Sequence, residues 1–286
     1  MKILSIGAHQ DDNEFRVGGM AKKWLNEGHE VRFLRMCNGC GGHHILSPAE
    51  ISKRRAGESA AVAEYLGIRY DIWSDMDDCT IMPDIDTRFR LIRYIREFCP
   101  DLIICHRTND YHADHRASAQ LVQDASYLLT VPNTCPDVPA MRDMPVIVYS
   151  EDGFSYPPFV PTYVMKIDEV LENKLHMAHL NESQVYEWLP YNECGVDSIP
   201  NNDVIRREWL LGMDITKKIS DKEVMALSSG YAVRFAKTAA RFRKNLLSKY
   251  GRKFGAKIRY AEAFMLCEYG RQPSKEFTET LFGTHL

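Results

Sequence analysis

The chain has 286 residues, of which 45% are hydrophobic and 26% charged, and its formal net charge is −3 at pH 7. This composition is sufficient for one large domain with a substantial core, or for one domain with a sizeable C-terminal extension. The charge balance excludes the broad positive field that a nucleic-acid backbone would require, so we expect no nucleic-acid partner. No apolar run approaches the length of a membrane span.

The N-terminal stretch and the cysteines bear on where the protein works. The apolar residues of MKILSIGAHQDD lead directly into charged residues without a small-residue cleavage site, which predicts a first β-strand rather than a signal peptide. Eight cysteines are spread along the chain, and several lie in apolar stretches, as Cys105 does in DLIIC. Such residues are usually free thiols in a reducing compartment. We therefore expect a cytoplasmic protein.

The first hundred residues alternate between strand and helix patterns. Residues 2–7 predict a strand, 17–28 a helix and 30–37 a second strand, which together form a βαβ unit and indicate a parallel sheet. The alternation continues with a helix over 48–66 that ends at Gly67, and then with a strand, a helix and a second strand at 68–73, 86–98 and 101–105. The near-continuous apolar run DLIIC is typical of a central strand covered on both faces.

The later part of the chain has a less regular pattern. A helix begins within the stretch 112–125, and the Pro, Asn and Asp residues of 126–145 predict a long surface loop. Further elements are two strands, a helix, an irregular stretch and a helical segment, at 145–150, 162–167, 168–188, 191–204 and 231–250. We predict an α/β fold with a Rossmann-like, mainly parallel sheet, helices on both faces and a C-terminal α+β extension. It forms a single domain over 1–286, with a core to about 185 and the extension from about 186.

A histidine and three carboxylates follow the first predicted strand, in the sequence GAHQDDNE at residues 7–14. In open α/β sheets ligands bind in the crevice beyond the carboxyl ends of the strands. His9 and Asp12 are three residues apart in a turn, so an imidazole nitrogen and a carboxylate oxygen can converge on one ion. Asp11 is then a spare carboxylate that can point across this ion.

A second cluster, HADHR at residues 112–116, follows the strand DLIIC and should emerge on the same edge of the sheet. His112 and His115 share one face of a first helical turn, so one can bind a metal while the other lies over the substrate. Either cluster alone is more often a turn or a helix cap. Together they predict a His/Asp/His metal site with open positions, the arrangement of catalytic zinc, and hydrolysis as the chemistry.

These two clusters resemble the signature of the PIG-L or LmbE-like family, the N-acetylglucosaminyl-phosphatidylinositol deacetylase-like proteins. The family pattern A-H-P-D-D-x-E is matched by residues 8–14, except that Gln10 replaces the proline, and H-x-D-H is matched by residues 112–115. Gln10 supplies no ligand, so the substitution does not affect the chemistry. The resemblance covers most of the first two-thirds of the chain and extends to shorter matches at 18–19, 55–58, 66–68 and 261–264.

The resemblance implies a zinc-dependent deacetylase that removes an acetyl group from an N-acetylated amino sugar or glycoconjugate. His9, Asp12 and His115 would hold one Zn²⁺ per chain, although other divalent ions such as Fe²⁺ suit the same ligands. No membrane span is implied, and a homo-oligomer is compatible with the sequence.

Catalytic roles follow from the same resemblance. Asp11 would be the general base that takes a proton from the attacking water. His112, as an imidazolium, would stabilise the tetrahedral oxyanion, and Asp114 would orient its ring. Arg55 could contact the substrate or organise the carboxylates of the site, and Asp78 is a weaker candidate for binding a sugar hydroxyl.

Three other functions remain open from the sequence. An amidase of the same fold could act on a larger acyl group or on a thiol conjugate. Two histidines and a carboxylate also form the facial triad of non-haem iron oxygenases. A non-catalytic binding protein on this scaffold is the third alternative, because fold does not determine function.

Two further sequence features could bear on function. Cys37 and Cys40 form a C-x-x-C near His43 and His44, which suits a second metal or a redox pair but is more typical of a rim loop. The helical segment 231–250 is rich in Arg and Lys, and such a run is usually a solvated face.

Overall fold

The computed structural model describes residues 1–213, 217, 219–228 and 230–283. A seven-stranded sheet forms its centre, in the order β3-β2-β1-β4-β5-β7-β6. The strands, from β1 to β7, are Lys2–Gly7, Glu30–Arg35, Arg69–Ile72, Leu102–Cys105, Val146–Ser150, Tyr163–Lys166 and Ala261–Leu266. The strand pairs from β3 across to β5 are all parallel, whereas β7 is antiparallel to both β5 and β6. The predicted mainly parallel α/β sheet is confirmed.

Twelve α-helices connect and cover these strands in the described residues. From α1 to α12 they are Asp12–Asn26, Pro48–Leu66, Ile85–Phe98, Ala113–Leu128, Leu171–Leu180, Leu189–Cys194, Asp203–Leu211, Asp221–Ala226, Tyr231–Arg241, Arg243–Tyr250, Arg252–Gly255 and Lys275–Phe282. Side chains of α3 and α4, such as Ile92 and Leu121, pack on one face of the sheet. Side chains of α1, α2 and α12, such as Val17, Val62 and Phe282, pack on the other. None of the described helices is both long and apolar enough to cross a bilayer.

The order of the strands creates a crevice between β1 and β4. From β1 the chain proceeds to β2 and β3 on one side, and it then returns to place β4 and β5 on the other side. The connections therefore diverge at the carboxyl ends of β1 and β4, and ligands of open α/β sheets bind at such a switch point. The segments that follow these two strands carry the two clusters identified in the sequence.

Some predicted boundaries are wrong, and the reasons are local. Helix α1 begins at Asp12 rather than at residue 17, so the acidic motif itself forms the first helical turn. The helix predicted over 168–188 is interrupted at Asn181, whose side-chain amide donates to the carbonyl of Met177. A π-helical turn, Ser183–Trp188, and α6 follow, so the stretch predicted as irregular begins with a helix. Asn181 competes with the backbone for the carbonyls of the last helical turn.

The C-terminal part of the chain contributes to the central sheet. Strand β7 inserts between β5 and β6, and helix α9 packs against it. The expected extension from about residue 186 is therefore α+β, but its strand lies inside the sheet rather than beside it. The division of the chain near residue 185 stays a prediction.

A buried ion pair connects β7 to the first helix. Lys174 is fully buried and Glu262 is 3% exposed, and their side chains are in contact. The carboxylate also accepts the backbone N–H groups of Gly19 and Met20 at 2.9 and 2.8 Å, and the ammonium donates to the carbonyl of Glu14 at 3.0 Å. A Cβ at Gly19 would lie 2.9 Å from the Glu262 carboxylate, so glycine permits this close approach.

Removing one member of this pair should destabilise the fold strongly. We expect Lys174→Met to lower the free energy of unfolding by about 3–5 kcal/mol, because it leaves the Glu262 carboxylate buried without its cation. Chemical denaturation of the purified variant measures this loss. Adding Glu262→Gln should recover part of it, since the amide no longer carries a buried charge. A loss below about 1 kcal/mol in the single variant would mean that the carboxylate is neutral or hydrated.

Candidate active site

The turn between β1 and α1 positions the first cluster. Asp12 accepts the backbone N–H of His9 at 2.8 Å, and a Cβ at Gly7 would lie 2.8 Å from the Cβ of Asp12, so the turn is tight. Asp11 has a φ of 83°, a left-handed conformation that is uncommon for a residue other than glycine. Such backbone strain is concentrated at functional sites. The turn therefore directs three ionisable side chains into the crevice.

Three side chains converge at the floor of this crevice. His9 Nδ1 lies 3.2 Å from His115 Nε2 and 3.6 Å from an oxygen of Asp12, and His115 Nε2 lies 3.4 Å from the other oxygen of Asp12. A tetrahedral zinc ion with bonds of about 2.0–2.1 Å separates its ligand atoms by about 3.3–3.4 Å. The three groups are thus spaced as ligands of one such ion would be.

Carboxylates behind the two histidines select the ring nitrogens that face this point. His115 Nδ1 lies 2.9 Å from Asp110 Oδ1, while His9 Nε2 lies 3.0 Å from Asp78 Oδ1 and 3.2 Å from Asp114 Oδ2. A proton on each of these nitrogens is held by a carboxylate, which leaves a lone pair on the opposite nitrogen. Metal-binding histidines are typically oriented in this way.

The structure places both Asp114 and Asp78 against His9. Asp114 does not lie behind the His112 ring, because its carboxylate accepts the backbone N–H groups of Cys79 and Ile81, at 2.7 and 3.2 Å, and contacts His9. Asp78 also contacts His9, and it accepts the backbone N–H of Gly41 at 3.2 Å. Both carboxylates are held by loop backbone, so both orient His9.

Asp11 lines the same cavity and belongs to none of the closely spaced donor sets among the described residues. Its Oδ1 is 3.3 Å from a guanidinium nitrogen of Arg55, which also donates to the carbonyl of Gln10 at 2.6 Å. Burial raises the pKa of Asp11 to about 6, and the charge of Arg55 opposes this rise. A carboxylate with such a pKa can both accept and release a proton near neutral pH. Of the two roles considered for Arg55, these contacts match the organisation of the site.

His112 caps the first turn of α4 and faces the cavity above the cluster. Its Nδ1 accepts the backbone N–H of Asp114 at 3.1 Å, and its ring centroid is 4.4 Å from that of His9. Burial, together with the charges of His9 and His115, lowers the pKa of His112. The expected imidazolium is therefore unfavourable here. A neutral ring with its proton on Nε2 remains a hydrogen-bond donor to the cavity.

Two residues near the floor of the crevice were not identified from the sequence. Asp110 orients His115, as described, and His106 stacks on the His115 ring with centroids 4.0 Å apart and lies 3.2 Å from Asp12. Burial lowers the pKa of His106 to about 4, so it is neutral. Both belong to the polar loop HRTNDY after β4. The position of this loop at the end of a parallel strand was the signal that could have identified them as site residues.

Donor atoms within 4.8 Å of one another form overlapping sets in the described residues. One set comprises His9, His112 and His115, and another comprises Asp12, His106 and His115. His106 lies beneath His115, with its side chain 2% exposed, and is less accessible than His9. His9, Asp12, His112 and His115 line the cavity, and the assignment of His9, Asp12 and His115 as the metal ligands stays a prediction.

The rim loop contains the C-x-x-C pair, which does not form a disulfide. All eight cysteines are free. Cys37 is buried with its thiol directed at the carbonyl of Ala8, and burial raises its pKa to about 12. Gln10, at the position of the usual proline, donates to the carbonyl of Asn38 at 2.7 Å. This contact ties the loop to the floor of the site, as expected of a structural rim.

A cavity of about 700 Å³ opens above the cluster. Its walls include the aromatic side chains of Phe15, Phe154 and Trp188 as well as one face of helix α9. This volume is that of a typical small-molecule site. The helix therefore does not present only a solvated basic face, because three of its cations, Arg234, Lys237 and Arg241, line the cavity.

Comparison with known proteins shows that part of the chain is similar to a known family. Residues 4–126 match the profile of the GlcNAc-PI de-N-acetylases, called PIG-L. The diacetylchitobiose deacetylase of Thermococcus kodakarensis is 29% identical over 201 residues, which cover 66% of this chain and 74% of that protein.

Solved structures share the fold over nearly the whole chain. The N,N'-diacetylchitobiose deacetylase of Pyrococcus horikoshii has a TM-score of 0.63 at 20% identity, covering 96% of this chain and 88% of its own. The 4-carboxy-2-hydroxymuconate hydratase of Pseudomonas putida KT2440 has a TM-score of 0.69 at 18% identity, covering 96% and 98%. These likenesses show the fold. The two solved proteins carry out different reactions on it, a deacetylation and a hydration.

The scaffold and the cluster of ionisable groups at its switch point define an α/β enzyme. Residues 4–126 are similar to the PIG-L family of GlcNAc-PI de-N-acetylases, the family that the two sequence clusters resemble.

Proposed function

We propose that the protein is a zinc-dependent N-deacetylase acting in the cytoplasm on an N-acetylated amino sugar. The observation that carries this proposal is the spacing of His9, Asp12 and His115, at 3.2–3.6 Å, with Asp11 beside them at the end of a sugar-sized cavity. Two nitrogens and a carboxylate oxygen are a ligand set of catalytic zinc.

The donor set determines what the metal would contribute. When bound, the ion would lower the pKa of a water molecule and polarise the carbonyl of the scissile amide. His106 and the carboxylates behind the histidines close the floor, so an ion held by His9, Asp12 and His115 would be reached from the cavity side. The substrate amide would therefore approach from the cavity.

Asp11 would act as the general base. Its carboxylate is held by Arg55 at 3.3 Å and its backbone is fixed in the left-handed turn, so it is oriented before the substrate binds. It would accept a proton from the attacking water and deliver a proton to the nitrogen of the leaving amine. General acid–base catalysis of this kind contributes about 10²–10⁴-fold to a rate.

His112 would stabilise the negative charge that develops on the carbonyl oxygen. Its Nδ1 is occupied by the backbone N–H of Asp114, so Nε2 carries the proton that can be donated. A fixed donor aimed at a developing oxyanion needs little reorganisation during the reaction. Asp114 and Asp78 would act indirectly, by fixing the ring of His9.

The substrate class is supported by the relatives and by the cavity. The curated relative described above is a diacetylchitobiose deacetylase. The aromatic side chains of the cavity walls offer apolar faces for a sugar ring, and the polar groups at its floor offer hydrogen bonds. The larger-acyl and thiol-conjugate amidases remain alternatives, since the same groups would serve them.

The test is metal removal and return, with acetate and primary-amine release as readouts. The purified chain should hold about one zinc per chain by elemental analysis, and chelation should abolish acetate release from N-acetylglucosamine or N,N'-diacetylchitobiose until zinc is returned. Substrates with longer N-acyl groups test the amidase alternative in the same assay. Failure to bind a divalent metal after reconstitution would contradict the proposal, as would a requirement for oxygen.

A further inference from the structure

The cavity has an uneven distribution of charge along helix α9. Arg234, Lys237, Thr238 and Arg241 are spaced by three, one and three residues, so they share one face of the helix. All four line the cavity. A cationic stripe therefore faces the space in which the substrate would bind.

The carboxylates of this part of the wall each have a cation of their own. Glu151 is paired with Arg241 at 2.9 Å, and it also accepts the hydroxyl of Thr238. Asp152 accepts two N–H groups of the Arg107 guanidinium, and Glu262 is paired with Lys174. Within the described residues, the acidic groups of this wall are thus neutralised.

Lys237 differs from the other two cations of this helix face, because it has no acidic partner among the described residues. Arg234 is paired with Glu193 at 2.8 Å, whereas no hydrogen bond or ion pair joins Lys237 to another described residue. Lys237 is half-buried at the wall, between the paired residues Arg234 and Arg241. Because every neighbouring carboxylate is already paired, the wall has an excess of positive charge at this residue. Such a group binds an anion more favourably than it binds water alone.

We propose that Lys237 binds an anionic group of the substrate, so that the preferred substrates are acidic N-acetylated sugars that bear a carboxylate or a phosphate. This inference rests on the proposed deacetylase function. It adds a specificity-determining residue on a helix outside the matched segment 4–126. Acidic and neutral sugars would share the reacting acetamide and would differ in the contact with Lys237.

The test compares acidic and neutral probes with the zinc-loaded protein. N-acetylglucosamine is the neutral probe, its 1-phosphate and 6-phosphate are the phosphate probes, and N-acetylmuramic acid is the carboxylate probe. We expect kcat/KM for at least one acidic probe to exceed that of the neutral probe by about tenfold or more, as one charge-assisted contact provides. Whether phosphate or carboxylate is preferred distinguishes the two sources of the anion.

Variants at position 237 show whether the preference depends on this residue. Lys237→Ala should remove the advantage of the acidic probe and leave kcat/KM for N-acetylglucosamine within about twofold, whereas Lys237→Arg should retain the advantage. Lys244→Ala, at an exposed position of α10, is the matched control and should behave as the wild type. Equal kcat/KM values for acidic and neutral probes in the wild type would overturn the inference, as would an equal loss for both in Lys237→Ala.

A binding measurement separates this inference from the proposed function. If the wild type releases acetate from none of the probes, the deacetylase proposal fails, and affinities from calorimetry then decide the anion site. Tighter binding of an acidic probe that is lost in Lys237→Ala would support the site, and this preference should weaken with added salt. Equal affinities of acidic and neutral probes would overturn it.

Discussion

Asp11→Asn should reduce the rate of acetate release by about 10²–10⁴-fold while zinc content stays near one per chain. The asparagine is nearly isosteric and can keep a hydrogen bond to Arg55, but it cannot accept a proton from water at neutral pH. Because Asp11 contacts Arg55 and belongs to none of the closely spaced donor sets among the described residues, metal binding should not depend on its charge. Steady-state kinetics and elemental analysis of the same preparation measure both quantities.

The control for this variant is Asp143→Asn, in an exposed loop away from the cavity. It removes the same charge and should leave the rate unchanged. A decrease of less than about tenfold in Asp11→Asn would assign the base to another residue. Joint loss of zinc and activity would instead make Asp11 a ligand.

His115→Ala should lose both the metal and the activity. The imidazole supplies one of the three converging donors, and its removal leaves His9 and Asp12 to hold the ion with two protein ligands. We expect zinc affinity to fall by more than about a hundredfold, since loss of a residue that only orients a ligand already costs about 10–100-fold. Competition with a coloured chelator measures this affinity.

Asp110→Asn should lower zinc affinity less than His115→Ala does, because it changes a residue that orients the proposed ligand rather than the ligand itself. The amide would no longer hold the Nδ1 proton of His115 as a carboxylate does, so affinity should fall by about 10–100-fold and excess zinc should restore part of the activity. His176→Ala, which removes an exposed imidazole from α5, should bind zinc as the wild type does. If His115→Ala retained stoichiometric zinc with unchanged affinity, another donor set, such as one with His106, would hold the ion.

Much of the fold followed from short-range patterns. Helix α2 was predicted to its observed ends from its helical period of apolar residues and from Gly67, which is left-handed at the end of the helix. In the structure Pro48 opens the helix, and Ser47 and Glu50 form a capping box. The run DLIIC was predicted as a central strand because its apolar residues are continuous. These signals are local, since each depends on residues within one or two helical turns.

The sequence by itself determined that His9, Asp12 and a histidine of the HADH stretch would meet, because strand ends of a parallel sheet share one edge. The tertiary structure decided which carboxylate stands behind each histidine: Asp110 behind His115, and Asp78 with Asp114 behind His9. It also decided that α9 lines the cavity, through the insertion of β7 between β5 and β6. The physical reason is that such partners depend on contacts between residues far apart in the chain, about which periodicity and spacing carry no information.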